Sequence, residues 1–184
     1  MKHTDFGQMP CPIARSLGKV GEWWSILILR DAFYGLTRFD EFEKSLKIAP
    51  NMLTRRLAGL VAGGLMEKRQ YSARPPRYEY LLTEKGRAFK PVLLAFVAWG
   101  NEHLAPEGAS LLVVNRETGQ PAEQILVDKR SGRAISDEDY VFAPGPAAPE
   151  VMRARLREVS QRVPFIKHSG GNGGANPGAN QSQN

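Results

Sequence analysis

Asn51, Thr54 and Arg55 lie on one side of a segment whose other side is leucine. At about 100° per residue, Leu53, Leu57 and Leu60 form a tight apolar face, and Asn51, Thr54, Arg55, Ala58 and Ala62 lie opposite. Asn and Arg offer the paired donor and acceptor geometry that fits the edges of A and G, while Thr can bond a base or touch a thymine methyl. The charge around this face agrees with that chemistry. Residues 50–90 carry nine Lys/Arg against three acidic side chains, a net +6, while residues 1–49 carry +1 and residues 91–184 carry −1. A polyanion meets this chain as one basic module on a near-neutral body, and duplex DNA is the partner that clustered Lys and Arg suit.

Other basic residues flank the polar face. Arg74 and Arg77 bracket Pro75-Pro76, placed to lie along phosphates or enter a minor groove. Taken alone, that loop reads more readily as a solvated turn stiffened by proline; behind a polar-faced helix of the same charge sign, the DNA reading is the better one. Thr37 and Arg38 open the preceding helix, where backbone amides commonly meet phosphate. Arg56 sits roughly 140° round from Asn51, at the edge of the leucine face. It either reaches a phosphate or ties two helices together, and the sequence leaves both open.

The elements that position these residues follow from caps and periodicity. Pro12 begins a short helix to Leu17, and Gly18 and Gly21 bend the chain. Glu22 to Tyr34 reads as a buried helix with Trp23, Ile26, Leu27, Arg30 and Phe33 on helical spacing, and Ile28 and Leu29 on a second apolar face. Thr37 is the expected N-cap of the next helix, whose stripe is Phe39, Phe42 and Leu46. Pro50 starts the leucine-faced helix and Gly63-Gly64 stops it near Ala62. Leu65 to Tyr71 and Tyr78 to Leu82 alternate as two strands, with the prolines expected to prevent pairing at the tip. Thr83 then caps one long helix to about His103. Phe89, Leu93, Phe96 and Gly100 share one of its faces, and Val92, Val97 and Trp99 spread apolar surface around it. That helix is too apolar for one small domain to cover, so a dimer contact is expected there.

The predicted architecture is mainly α with a β-wing: a winged helix-turn-helix domain over 1–105. A small β-rich extension over 106–165 follows, with strands at Leu111–Asn115 and Gln124–Asp128 and a terminal helix from Pro149. Residues 166–184 have the composition of a disordered tail. The sequence shows no evident internal repeat. A winged helix-turn-helix lays its second helix in the major groove.

Several function classes are excluded or disfavoured. Tyr71, Glu79, Tyr80 and Glu102 are available to acid–base chemistry. No Ser/His/Asp set, paired-carboxylate motif or phosphate-cradling Gly loop accompanies them, so an enzyme is not expected. The three histidines form no ligand pair, and the single Cys11 excludes an internal disulfide or multi-Cys zinc site, so neither metal nor cofactor is expected. The opening residues lack the apolar stretch of a signal peptide, and the longest apolar run falls short of the ~20 residues of a membrane span. A cytoplasmic protein is the expectation.

Specific motifs resemble the HxlR-type bacterial transcriptional regulators. They are Cys11-Pro12-Ile13-Ala14-Arg15, Gly21 to Asp31, Arg38-Phe39-Asp40-Glu41-Phe42, the Leu53-x-x-Arg56-Leu57-x-x-Leu60 core, Gly64-Leu65, and Pro75-Pro76-Arg77-Tyr78-Glu79-Tyr80-Leu81-Leu82-Thr83-Glu84-Lys85-Gly86. The resemblance runs in unbroken order over about residues 11–104. It implies a homodimeric regulator, by expectation a repressor, on a palindromic operator. Asn51, Thr54 and Arg55 then face bases, and the wing around Arg74 and Arg77 touches backbone or minor groove. The first and last helices of the domain build the dimer, here through Phe89, Val92, Leu93, Phe96, Val97 and Trp99. Ala49 stands where many relatives have Ser, which weakens the N-cap of the recognition helix.

Several relatives respond to oxidants or electrophiles through an N-terminal cysteine, and Cys11 occupies that position. Its plain alternative is a small side chain packed in the dimer seam. A rival trigger is a small ligand held by Trp23, Trp24, Phe33 and Phe96 between the core and the extension. A winged-helix module for protein or RNA contact is the alternative from another class.

Overall fold

The computed structural model describes residues 9–162. They divide into two compact units with the boundary between Ile125 and Leu126, later than the composition change at Ala105. The first unit begins with α1 (Pro12–Val20), α2 (Trp23–Phe33), α3 (Phe39–Leu46) and α4 (Pro50–Ala62). A hairpin of β1 (Met66–Ala73) and β2 (Pro76–Leu82) follows, then α5 (Glu84–Arg87) and α6 (Lys90–His103). The second unit carries α7 (Glu150–Arg162). The fold is a winged helix-turn-helix, mainly helical with one small antiparallel sheet. The tail and Val159 of the last helix lie outside the described side chains.

The core forms where α2, α3, α4 and the root of the wing meet. Ile28, Leu29, Phe42, Leu53, Leu57 and Leu60 are fully buried, with Met66 beside them. Each such side chain contributes about 1.5–3 kcal/mol. The helical spacing of Leu53, Leu57 and Leu60 thus fixes which side of α4 faces in. In α2 the sequence named two apolar faces without ranking them, and the structure buries the second most deeply while Ile26 of the first packs at the core's edge. Ile28 and Leu29 enter the core, whereas Trp23 is 80% exposed. Both faces are apolar, so periodicity alone did not rank them.

Caps differ from the expectation at α3 and hold at α5. Arg38, not Thr37, occupies the N-cap position of α3. The Glu41 carboxylate reaches back and accepts from both the Thr37 and Arg38 amides, at 2.9 and 2.8 Å. At α5 the Thr83 hydroxyl accepts from the Gly86 amide at 3.1 Å, as expected. The single long helix after Thr83 is instead two. Pro91 sits in the first turn of α6. It has no amide to donate and its ring crowds the carbonyl four residues back, so α5 stops at Arg87.

The hairpin pairs further than expected. Its ladder runs from Met66↔Leu82 to Ala73↔Pro76, with an irregularity at Tyr71, and the Arg74–Pro75 peptide is cis. Because the ladder reaches Ala73↔Pro76, the turn needs only Arg74 and Pro75, and Pro76 tolerates an end position where no ladder amide is required. The segment before α3 also joins the sheet. The Tyr80 amide donates to the Thr37 carbonyl at 2.7 Å, and Arg38 bridges Glu79.

In the extension the expected strands shrink to single bridges, Val114↔Pro121 and Val127↔Ala134. They reveal a local repeat that the sequence reading missed: Val-Asn-x-x-Thr-Gly-x-Pro over 114–121, and Val-Asp-x-x-Ser-Gly-x-Ala over 127–134. Asn115 accepts from the Glu117 and Thr118 amides, and Asp128 accepts from the Arg130 and Ser131 amides. Gly119 and Gly132 both adopt left-handed backbone, φ 69° and 70°, which glycine takes without cost. Side-chain-to-backbone bonds close these turns, so no long alternating strand is needed.

Candidate nucleic-acid interface

The outer side of α4 is exposed at Asn51, Thr54, Arg55, Ala58 and Ala62, while Leu53, Leu57 and Leu60 behind it are sealed. Pro50 starts the helix at its first position and Ala49 supplies no side-chain cap. Part of that deficit is met locally, because Asn51 Oδ1 accepts from the Met52 amide at 2.7 Å. The Asn51 side-chain NH2 is exposed and has no acceptor among the described residues. The Thr54 hydroxyl donates to the Pro50 carbonyl at 2.8 Å, and the side chain is exposed. Arg55 has no partner among the described residues.

Arg56 resolves the alternative left open by the sequence. Its Nη2 donates to Glu22 Oε2 at 2.7 Å, and its side chain is only 15% exposed. It therefore ties α4 to the start of α2, and the expected phosphate contact is withdrawn. Its buried Nε has no partner among the described residues, and its Nη2 is held by the bond to Glu22.

The wing supplies cations in two kinds. Arg74 and Arg77 are exposed at its tip, with no partner among the described residues. Lys68 and Arg69 are engaged: Lys68 Nζ lies 4.1 Å from the Tyr78 ring centre, and Arg69 pairs with Glu79 at 2.9 Å. At the root, the Arg38 guanidinium lies 5.0 Å from the centre of the Tyr71 ring. Arg38, Tyr71, Arg77 and Tyr78 line an open cleft of about 310 Å³. Sequence reading missed Tyr71 and Tyr78 as part of this face. Their signal was aromatic residues interleaved with Lys68, Arg69 and Arg77.

The backbone amides of Thr37 and Arg38, which the sequence offered to phosphate, both donate instead to the Glu41 carboxylate. Those two bonds hold the Glu41 carboxyl below the ordinary carboxylate range. Of this pair only the Arg38 side chain faces outward. The residues available in principle to acid–base chemistry do not form a site. Glu79 is paired with Arg69 and Tyr71 lies under Arg38. Tyr80 packs on the core, where burial raises its hydroxyl, and Glu102 lies on α6 beside His103. Among the described residues no metal-binding cluster occurs, and no helix is long and apolar enough to cross a membrane.

The expected dimer face is uncovered in the protomer. Val92, Phe96 and Trp99 on α6 are exposed by 44%, 52% and 54%, as are Ile13 and Leu17 on α1. Leu93 and Val97 are half-buried, and Phe89 packs against the core of its own chain. The aromatic pocket expected from Trp23, Trp24, Phe33 and Phe96 is not assembled. Trp23 and Phe96 face solvent and Trp24 packs on the core. Cys11 is half-buried at the N-cap position of α1.

Comparison with known proteins agrees with this geometry. The family model for HxlR-like helix-turn-helix proteins matches residues 19–108. An uncharacterised HTH-type transcriptional regulator of Mycobacterium tuberculosis is 37% identical over 135 residues, which is 73% of this chain and 85% of that protein. The solved structure of PA1374 from Pseudomonas aeruginosa, assigned as a transcription factor, is 56% identical. It superposes with a TM-score of 0.59 over 79% of this chain and 100% of its own. PA1607, likewise assigned as a transcription factor, gives 42% identity and a TM-score of 0.69 over 76% of this chain and 99% of its own. With its leucine-backed polar helix and basic wing, the chain belongs to the HxlR-like helix-turn-helix family, a class of DNA-binding transcriptional regulators and not of enzymes.

Proposed function

We propose that the protein is a homodimeric repressor that reads a palindromic operator through α4. Asn51, Thr54 and Arg55 meet base edges in the major groove, while Arg74 and Arg77 follow the backbone or the neighbouring minor groove. Arg38 adds a phosphate contact at the wing root. The observation that carries this reading is the unpartnered Arg55, set beside Asn51 on the open side of a helix whose other side is fully buried. The uncovered apolar surface of α1 and α6 supports pairing of two chains, as a palindrome requires. Residues 1–105 form the reading module, and 106–165 an appended extension.

Replacing Asn51 and Arg55 together by alanine tests it. Operator footprinting on the chain's own upstream DNA should collapse while thermal stability stays within about 0.5 kcal/mol of wild type. An undiminished footprint refutes the reading. A salt series separates the alternative of a protein partner, because neutralising several phosphates makes affinity fall steeply with salt.

Cys11 carries the switch in this reading. The sequence holds no second cysteine, so its products are a bond between subunits, a mixed disulfide or an alkylated thiol. Loss of operator binding on thiol oxidation in wild type but not in Cys11→Ser supports it. Equal behaviour of both proteins removes it.

A further inference from the structure

A second cleft, of about 390 Å³, lies between α1 and the junction of β1 with α5 and α6. Its rim is cationic, with Arg15 and Lys19 from α1 and Lys85 from α5. Its floor is apolar, with Val20, Leu65, Ala88 and Phe89. Among the described residues no carboxylate lines it, and the three cations are compensated by carbonyl oxygens at most. Arg15 Nε donates to the Met9 carbonyl at 2.7 Å and Lys85 Nζ to the Gly63 carbonyl at 2.8 Å, while Lys19 has no partner among the described residues. Three like charges around an apolar floor repel one another until an anion joins them. Lys85 bonds at the C-terminal end of α4, some 18 Å along that helix from Asn51. These cations are therefore placed for something other than the groove-reading face.

We propose that this cleft binds a small organic anion, a carboxylate on an apolar or aromatic body, as an effector. The carboxylate meets Lys19 and Lys85, and the body lies on Val20, Leu65 and Phe89. Coupling to DNA reading follows from the bonds already present. Lys85 holds the Gly63 carbonyl that closes α4, and Thr83 holds the Gly64 carbonyl at 2.7 Å and donates its amide to the Leu65 carbonyl. An anion that draws Lys85 away frees the end of α4 and loosens the root of the wing. The proposal goes beyond the operator reading and does not depend on it, because its primary test contains no DNA.

The test is calorimetric titration of the full chain with 1-naphthoate and with the neutral 1-naphthalenemethanol. The acid should bind saturably, one per chain, and at least tenfold more tightly than the alcohol. Lys19→Met and Lys85→Met should each weaken it fivefold or more, and Lys85→Arg should restore most of the loss. Lys19 is exposed, so its variant keeps the fold and remains informative even where Lys85→Met does not. Amide NMR shifts should be confined to residues 15–20, 63–65 and 85–89. No saturable binding, equal binding of acid and alcohol, or indifference to both Met variants each overturns the proposal. So does a change of oligomeric state in the Met variants without loss of naphthoate, which assigns the cleft to a second copy of the chain.

Discussion

Arg56 and Glu22 stand 34 residues apart in sequence and 2.7 Å apart in space, and their ion pair joins the recognition helix to the helix behind it. The pair is half-sheltered, with Arg56 15% and Glu22 41% exposed. Arg56→Ala should therefore cost about 1–2 kcal/mol in urea unfolding, less than a fully buried pair. Its effect on operator affinity should leave the salt slope unchanged, since no phosphate contact is lost. A slope smaller by about one would put Arg56 back on the DNA.

The wing arginines should behave in the opposite way. Arg74 and Arg77 are exposed and their side chains have no hydrogen-bond or ion-pair partner among the described residues, so alanine at either should leave unfolding within about 0.5 kcal/mol of wild type. Each replacement should weaken operator and non-operator DNA alike and reduce the salt slope by about one. Gel shifts at several salt concentrations read both quantities. Sequence-selective loss would instead assign these residues to base edges.

Glu41 makes stability depend on acid pH. Its carboxyl is held low first by the Thr37 amide and next by the Arg38 amide, so the ionised form is favoured in the folded chain. The stabilisation is fully present above the unfolded value, about 4.3, and is lost as pH falls through the lower folded one. Glu41→Gln should cost about 1 kcal/mol at pH 7 through the weakened cap. The gap between variant and wild type should close as pH falls below 4. Thermal melts at pH 3.5 and 7 test this; a constant gap refutes it.

Two glycines should respond with opposite signs. A Cβ at Gly86 would meet the Leu65 carbonyl oxygen at 2.0 Å, and that atom is backbone at the root of the wing. Gly86→Ala should cost about 2–3 kcal/mol. Gly59 lies mid-helix in α4 with nothing within 4 Å of its Cβ position. Gly59→Ala should stabilise by about 0.5–1 kcal/mol. Urea midpoints at constant slope measure both.

Helix boundaries set by local chemistry were the most legible part of the chain. Pro50 and Gly63 bracket α4 as expected, and its leucine spacing named the buried side correctly. Features decided by competition between partners were not legible. Trp23 and Ile28 are both apolar, and only the packing of α3 and α4 against α2 chooses between their faces. Thr37 has the better capping side chain, yet Glu41 can satisfy two amides at once and the Thr37 carbonyl is claimed by Tyr80. Arg56 looked equally suited to phosphate until Glu22 was placed beside it. Pro91 is a stop signal present in the sequence, and the reading of one helix from Thr83 to His103 did not use it. The turn repeat escaped because it equates Asn with Asp and Thr with Ser, an equivalence of hydrogen-bonding role and not of identity.

The stitch from Tyr80 to Thr37 has a consequence for operator choice. Because the chain entering α3 is sewn to the second arm of the hairpin, helix and loop tip form a ruler of set length. In the operator reading proposed above, that ruler spans adjacent grooves, so a promoter whose natural groove width is mismatched must deform to fit. Selectivity then extends to base pairs that no side chain reaches.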